Sequence, residues 1–173
     1  HSLGEYSAHV AAGTLAFGDA VRTVRNRGRY MQEAVPVGVG AMAAVMGLDE
    51  ETLAQACTDA AEGGVVSPAN LNAPGQIVIA GHSEAVQRAG ARAKAFGARR
   101  VVALAVSAPF HCALMQPAEK RLAPELRALV VSDPSTPVVA NVDAAPKRDA
   151  ASAIDALVSQ VTAPVRWEQV VRR

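Results

Sequence analysis

The sequence predicts an α/β fold in two parts, and three observations carry that prediction. Residues 37–108 alternate short apolar runs with helical periodicity in the order βαββαβ, the ferredoxin-like arrangement. Residues 1–36 and 109–173 instead supply helices and one further strand, pieces of a larger α/β layer. Gly38 and Gly40 at the first junction and Pro109 at the second mark the breaks between the two patterns.

Taken in order, residues 4 to 16 form an Ala-rich helix that ends near Gly18-Asp19, and Asp19 caps a second helix running to about Ala34. In that helix Val21, Val24, Gly28, Met31 and Val35 share a face, with Arg22, Arg25 and Arg29 opposite. Arg27 departs from the other arginines: at 100° per residue it lies roughly 60° from the centre of the apolar face, pointed toward the interior. Ala41 to Gly47 reads as a strand, Asp49 to Ala61 as a helix begun by Asp49, and Val65 to Asn72 as a second strand. After the turn Ala73-Pro74-Gly75 come a strand at Gln76 to Ala80, a helix at Ser83 to Phe96 closed by Gly97, and a strand at Arg99 to Val106. Beyond Pro109 we expect a helix from about Leu114 to Val130, interrupted at Pro124, then a strand at Pro137 to Val142 and a helix at Ala150 to Gln160.

Half of the 173 residues are apolar, enough to bury one core or two small ones and too many for a disordered segment. With aromatic residues at only 3%, the chain has little material for stacking nucleic-acid bases, and its net charge of +1 gives no general basic excess; nucleic acid is not an expected partner. Cys57 and Cys112 form neither a disulfide framework nor a zinc pattern, so no metal site is expected and a reducing cytoplasmic setting fits. No apolar run reaches the roughly 20 residues of a membrane span, and membrane is not an expected partner. The chain opens abruptly at His1-Ser2-Leu3-Gly4-Glu5, in what reads as an active-site turn, and stops inside a helical pattern, so an incomplete piece is expected.

Ser2-Leu3-Gly4 at a helix start by itself reads first as a plain serine N-cap, and is also compatible with the end of a Gly-x-Ser-x-Gly elbow, which exposes a serine hydroxyl. A serine nucleophile needs a base. Of four histidines, His1 adjoins Ser2 in a turn that splays the side chains, His9 lies on an Ala-rich helix and His82 sits at a helix start. His111 follows an apolar strand and Pro109, where a side chain can face a cleft. Arg27 either takes an anionic ligand or is held by a structural carboxylate such as Glu33 or Asp143. Asn70 and Asn72, on one strand face, are ligand contacts or turn residues.

Together these segments resemble the malonyl-CoA:acyl-carrier-protein transacylases of bacterial fatty acid synthesis, along essentially the whole chain. His1-Ser2-Leu3-Gly4-Glu5-Tyr6-Ser7 resembles that family's elbow without its leading Gly, and Arg27-Gly28-x-x-Met31-Gln32 the segment of its substrate arginine. Gly40-Ala41-Met42-Ala43-Ala44 is similar to the start of its ferredoxin-like insert. Asn70-x-Asn72-x-Pro74-Gly75-Gln76 is similar to its asparagine-rich turn, and Pro109-x-His111-Cys112-x-x-Met115 to its histidine segment.

The resemblance implies a partial α/β-hydrolase-like large subdomain, residues 1–36 and 109–173, with residues 37–108 as a ferredoxin-like insert. It implies ping-pong transfer of malonyl from CoA to the phosphopantetheine thiol of acyl carrier protein. Ser2 would be the nucleophile, His111 the base, Arg27 the malonyl carboxylate clamp, and the main-chain carbonyl of Gln160 the group that orients His111. Asn70, Asn72, Leu3 and Phe110 would line the substrate site, Leu3 and Phe110 in the combination that goes with malonyl rather than methylmalonyl. The Leu3 amide would form half of an oxyanion hole, with the other half in an N-terminal segment not in this sequence, so a transacylase geometry without turnover is expected of the chain alone. No cofactor is implied, since CoA and phosphopantetheine are substrate carriers. Arg22, Arg25 and Arg29 would offer acyl carrier protein a cationic surface. A trans-acting polyketide acyltransferase, a serine thioesterase or hydrolase, and a non-catalytic ferredoxin-like binding module are the competing readings.

Overall fold

The computed structural model describes residues 1–173 as a mixed α/β fold. Helix α1 (Leu3–Ala11) begins directly after Ser2 and turns back at Gly13, whose φ of 78° is in the left-handed region that favours glycine. Helix α2 (Phe17–Glu33) starts two residues before the expected cap: Ala16 holds the N-cap position, and Asp19 sits in the first turn, bonded to Arg22 at 2.5 Å. Its buried face is Ala20, Thr23, Arg27, Tyr30 and Met31, whereas Val21 and Gly28 are exposed. The interior stripe is thus rotated from the purely apolar one, because Thr23 and Tyr30 bury and Val21 does not.

A second layer follows in the order β1 (Gly40–Met46), α3 (Glu50–Ala60), β2 (Val66–Ala73), β3 (Gln76–His82), α4 (Ser83–Ala95) and β4 (Arg100–Ala103). Asp49 caps α3 as expected, its carboxylate accepting from the Thr52 amide at 2.8 Å. The four strands form one antiparallel sheet in the order β2-β3-β1-β4. Both faces are covered, which is why these strands read as continuous apolar runs and not as alternation. Ala43, Val45, Leu71, Ile77 and Ile79 pack with Leu53, Ala56, Val86 and Ala89 of the two helices. On the opposite face Met42, Ala44, Ala69, Val78 and Ala80 enclose Cys112. β4 stops at Ala103, three residues short of the expected end, and Leu104 continues only one further bond, to the Met42 carbonyl.

The remaining chain packs back on α1 and α2. A short 3-10 turn (Ala113–Met115) leads into α5 (Gln116–Arg127), which has Pro117 in its first turn and carries Pro124 without ending there. The expected strand at 137–142 reduces to β5 (Val138–Val139), paired with β6 (Pro146–Lys147), and Asn141 leaves the ladder in a turn. α6 (Ala150–Ser159) and α7 (Trp167–Val171) complete the chain. Tyr6, Leu15, Tyr30, Met31, Met115, Leu122, Leu126, Leu157 and Val161 belong to this second core. A main-chain bridge ties the two layers: Leu71 donates to Val165 at 2.8 Å and Val165 to Ala69 at 2.9 Å.

Candidate active site

Ser2 is held at φ 53°, ψ −99°, a conformation that a non-glycine residue adopts at a cost of about 1–3 kcal/mol. Its backbone is fixed from both sides. The Ser2 amide donates to Asn141 Oδ1 at 2.6 Å, and the Ser2 carbonyl accepts from Gln160 Nε2 at 3.2 Å and from the Glu5 amide at 3.1 Å. The turn aims Oγ at His111 Nε2, 2.9 Å away. His111 is the second strained residue here, at φ 60°.

The other imidazole nitrogen defines the proton positions. Nδ1 lies 2.8 Å from the main-chain carbonyl of Gln160, which only accepts, so Nδ1 carries the hydrogen and Nε2 offers its lone pair to the Ser2 hydroxyl. Burial, reinforced by the nearby Arg27 charge, brings the His111 pKa down to about 4, and the Gln160 bond opposes that shift. The ring is neutral at neutral pH.

Arg27 completes the cluster from α2. Its Nη2 donates to Ser2 Oγ at 2.8 Å and to Gln160 Oε1 at 3.0 Å, while Nε is buried with no partner. Neither candidate structural carboxylate holds it: Glu33 pairs with Arg121 at 2.5 Å and Asp143 with Lys147 at 2.5 Å. The guanidinium is thus 7% exposed, with an unpaired donor and no ion-pair partner, an arrangement that can accept an anion.

Two residues that sequence reasoning did not single out support this group. Glu5 is buried, and its Oε2 accepts from Gln160 Nε2 and from the Asn141 amide, both at 2.8 Å. Burial raises its pKa, and those two bonds and the Arg27 charge act against the rise. The Ser2-x-x-Glu5 spacing, that of a capping box, was the available signal for Glu5. Asn141 carried none, since its role depends on leaving a strand early.

The other expected site residues stand apart from this network. Asn70 is buried at the main-chain bridge to Val165, and Asn72 has a buried Oδ1 without a partner; neither bonds to Ser2, Arg27 or His111. Register shifts between Pro68 and Asn70 and between Leu71 and Ala73 break the alternation that was expected to place both asparagines on one face. Phe110 packs half-buried between the two cores, and Leu3 is half-exposed beside a shallow apolar groove of about 270 Å³ lined by Tyr6, Phe17 and Val21. Leu3 offers the first amide of α1, which has no acceptor within the helix. Arg22, Arg25 and Arg29 are all exposed, but Arg22 is tied to Asp19 and Arg29 lies over the Tyr30 ring, 5.2 Å from its centroid.

The chain is 58% identical over 171 residues to the malonyl CoA-acyl carrier protein transacylase of Salmonella typhimurium, a match that covers 99% of this chain and 55% of that protein. Among solved structures it is similar to an acyl carrier protein S-malonyltransferase from Vibrio cholerae, with a TM-score of 0.98 at 52% identity over 99% of this chain and 56% of the other. A malonyl-transacylase solved in complex with its type II polyketide acyl carrier protein matches with a TM-score of 0.97 and 52% identity, again over 99% and 56%. The chain therefore spans about half the length of the relatives it matches. The model of the acyl transferase domain matches residues 1–173, from end to end, and the chain belongs to that family.

Proposed function

We propose that the protein carrying this chain moves a malonyl group from CoA to the phosphopantetheine thiol of an acyl carrier protein, through a malonyl ester on Ser2. The observation that carries the reading is the Ser2, His111 and Arg27 constellation: a hydroxyl 2.9 Å from a neutral imidazole and 2.8 Å from a buried guanidinium without a carboxylate. His111 Nε2 takes the Ser2 proton as Oγ attacks the thioester carbonyl. The carbon–sulfur bond breaks, and the proton passes from His111 to the departing CoA sulfur. In the return half His111 accepts the carrier thiol proton, the sulfur attacks the ester, and Ser2 regains its proton as the carbon–oxygen bond breaks. Neither half needs an oxidant, a metal or a bound cofactor, since CoA and phosphopantetheine enter only as substrate carriers.

In a malonyl ester the free carboxylate is two carbons from the ester carbonyl oxygen, within the reach of a guanidinium that already touches Oγ. The carboxylate would give Arg27 the two-pronged partner that it lacks, and an acetyl group would leave it unpaired. The Leu3 amide, without an acceptor in its helix, would donate to the oxyanion. Gln160, through its carbonyl, orients the base. Asn70, Asn72, Leu3 and Phe110 remain candidate substrate contacts, and the exposed Arg22, Arg25 and Arg29 a candidate docking face for an acidic carrier protein. The order β2-β3-β1-β4 supports reading residues 37–108 as a ferredoxin-like subdomain set into a partial α/β-hydrolase-like core of residues 1–36 and 109–173.

The test is mass spectrometry of the natural full-length protein after brief exposure to malonyl-CoA, then to carrier protein. A malonyl adduct on Ser2 that disappears onto the carrier is expected, and Ser2→Ala should abolish it. Rapid malonate release at a rate indifferent to the carrier would replace this reading with a hydrolase.

A further inference from the structure

No ion pair includes Arg27, yet a carboxylate lies one amide away from it. The Gln160 side chain stands between them, its Oε1 accepting from Arg27 Nη2 at 3.0 Å and its Nε2 donating to Glu5 Oε2 at 2.8 Å. We infer that Glu5 is the held-back counter-charge of Arg27: the Gln160 amide links the two buried charges while keeping the guanidinium free for a substrate carboxylate. Glu5 is accordingly a positioning residue, acting on the substrate through Arg27 and Gln160.

Three observations support this arrangement over a plain structural role. Glu5 is 3% exposed and Arg27 7%, so each charge needs compensation from within the protein. Burial pushes the Glu5 pKa up, and the two N–H bonds that Oε2 accepts and the nearby Arg27 charge all act against that push. A direct Arg27–Glu5 pair would fill the fork and compete with any arriving anion. Interposing a neutral amide keeps the attraction, reduces it by distance, and leaves Arg27 Nε unpartnered. The same Glu5 oxygen holds the Asn141 amide, and Asn141 Oδ1 holds the Ser2 amide, so the counter-charge also braces the strained serine.

The inference rests on Arg27 being the anion clamp of the proposed transfer, and its test uses a probe other than turnover. Malonate dianion is titrated into the natural full-length protein, wild type and Glu5→Gln, by calorimetry. Gln keeps an oxygen to accept both N–H bonds but removes the charge, so malonate should bind about threefold or more tighter, as expected when one like charge is removed across a partly screened interior. Unchanged or weaker binding in a folded Glu5→Gln protein overturns the inference. The second measurement is thermal unfolding of Glu5→Gln, Arg27→Gln and the double variant. Balanced charges predict a loss in the double variant smaller than the sum of the single losses, and additive losses overturn the inference. Should Glu5→Gln not fold, a folded double variant supports the inference and an unfolded one defeats it. Wild-type protein that forms the acyl-serine without this coupling sinks only the counter-charge. Intact coupling without an acyl-serine sinks only the transfer reading.

Discussion

Arg27 and His111 are both ionisable groups placed where the surroundings oppose their charge, and they respond differently. The guanidinium, ordinarily the most basic of side chains, stays charged despite the downward push of burial; the imidazole, brought down to about 4, gives up its proton. For the first, Arg27→Ala should slow acylation by malonyl-CoA on the order of a hundredfold and leave acetyl-CoA nearly untouched, since only malonyl loses a charged partner. Competition between the two thioesters for Ser2 measures this directly. For the second, the acylation kcat/KM should stay level from about pH 8 to below the usual histidine range, and decline only toward about pH 4, where Nε2 becomes protonated. A limb centred near 6.5 in the pH–rate profile would contradict the neutral buried base. Much of this was legible at the residue scale: the inward Arg27 followed from wheel arithmetic and His111 from its place at an element end. Asn141 was not, because its bond to Ser2 spans 139 residues of chain, and for Glu5 the capping-box spacing marks the residue but not its Gln160 partner 155 residues away.

Among the elements, the four-stranded sheet has a direct hold on the base. One face packs under Cys112, next to His111, and its first strand begins at Gly40, where an added Cβ would stand 2.4 Å from Cγ of Pro109. That approach leaves no room for a side chain, and the nearest atoms belong to a rigid ring two residues before His111. Gly40→Ala should therefore cost about 1–3 kcal/mol in urea unfolding and slow Ser2 acylation by shifting the histidine segment. The expected stability loss with normal acylation would separate the sheet from the site. The order of these elements was readable from alternating apolar runs and helical patterns, and Asp49 and Gly97 announced helix ends correctly. Their lengths were less so. β5 ends where its partner β6 begins, a limit set by pairing and not by propensity, whereas β4 leaves the sheet at Ala103 while β1 still runs on to Gly40, and the β2 register shifts are invisible to a period-two reading. In α2 the buried stripe includes Thr23 and Tyr30, which a binary pattern counts as polar.

At the scale of the whole molecule, the two buried histidines couple folding to pH. His9 is fully buried beside Thr14, with Nε2 unpaired, and burial brings its pKa down to about 4, as for His111. Both folded pKa values lie below the unfolded value of 6.5, so the unfolded chain binds protons first as the pH falls. Stability is fully present above about pH 6.5 and is lost progressively down to about pH 4, by a total on the order of a few kcal/mol, with Glu5, whose pKa is raised, giving back part of it. Urea midpoints across that range should show the slope, and His9→Leu should flatten it; a midpoint independent of pH would mean that neither histidine is buried neutral. The main-chain bridge from Val165 to β2 and the Gln160 contacts show that the site closes only when distant parts of the chain meet. Gln160 follows Ser2 by 158 residues and supports both the serine carbonyl and the base. During synthesis the hydroxyl thus emerges long before anything that can activate it. On the proposed transfer reading, a nascent chain bearing Ser2 would stay unreactive toward thioesters until Gln160, just after α6, has left the ribosome and docked, so half-made protein would be guarded from premature acylation by the order of its own sequence.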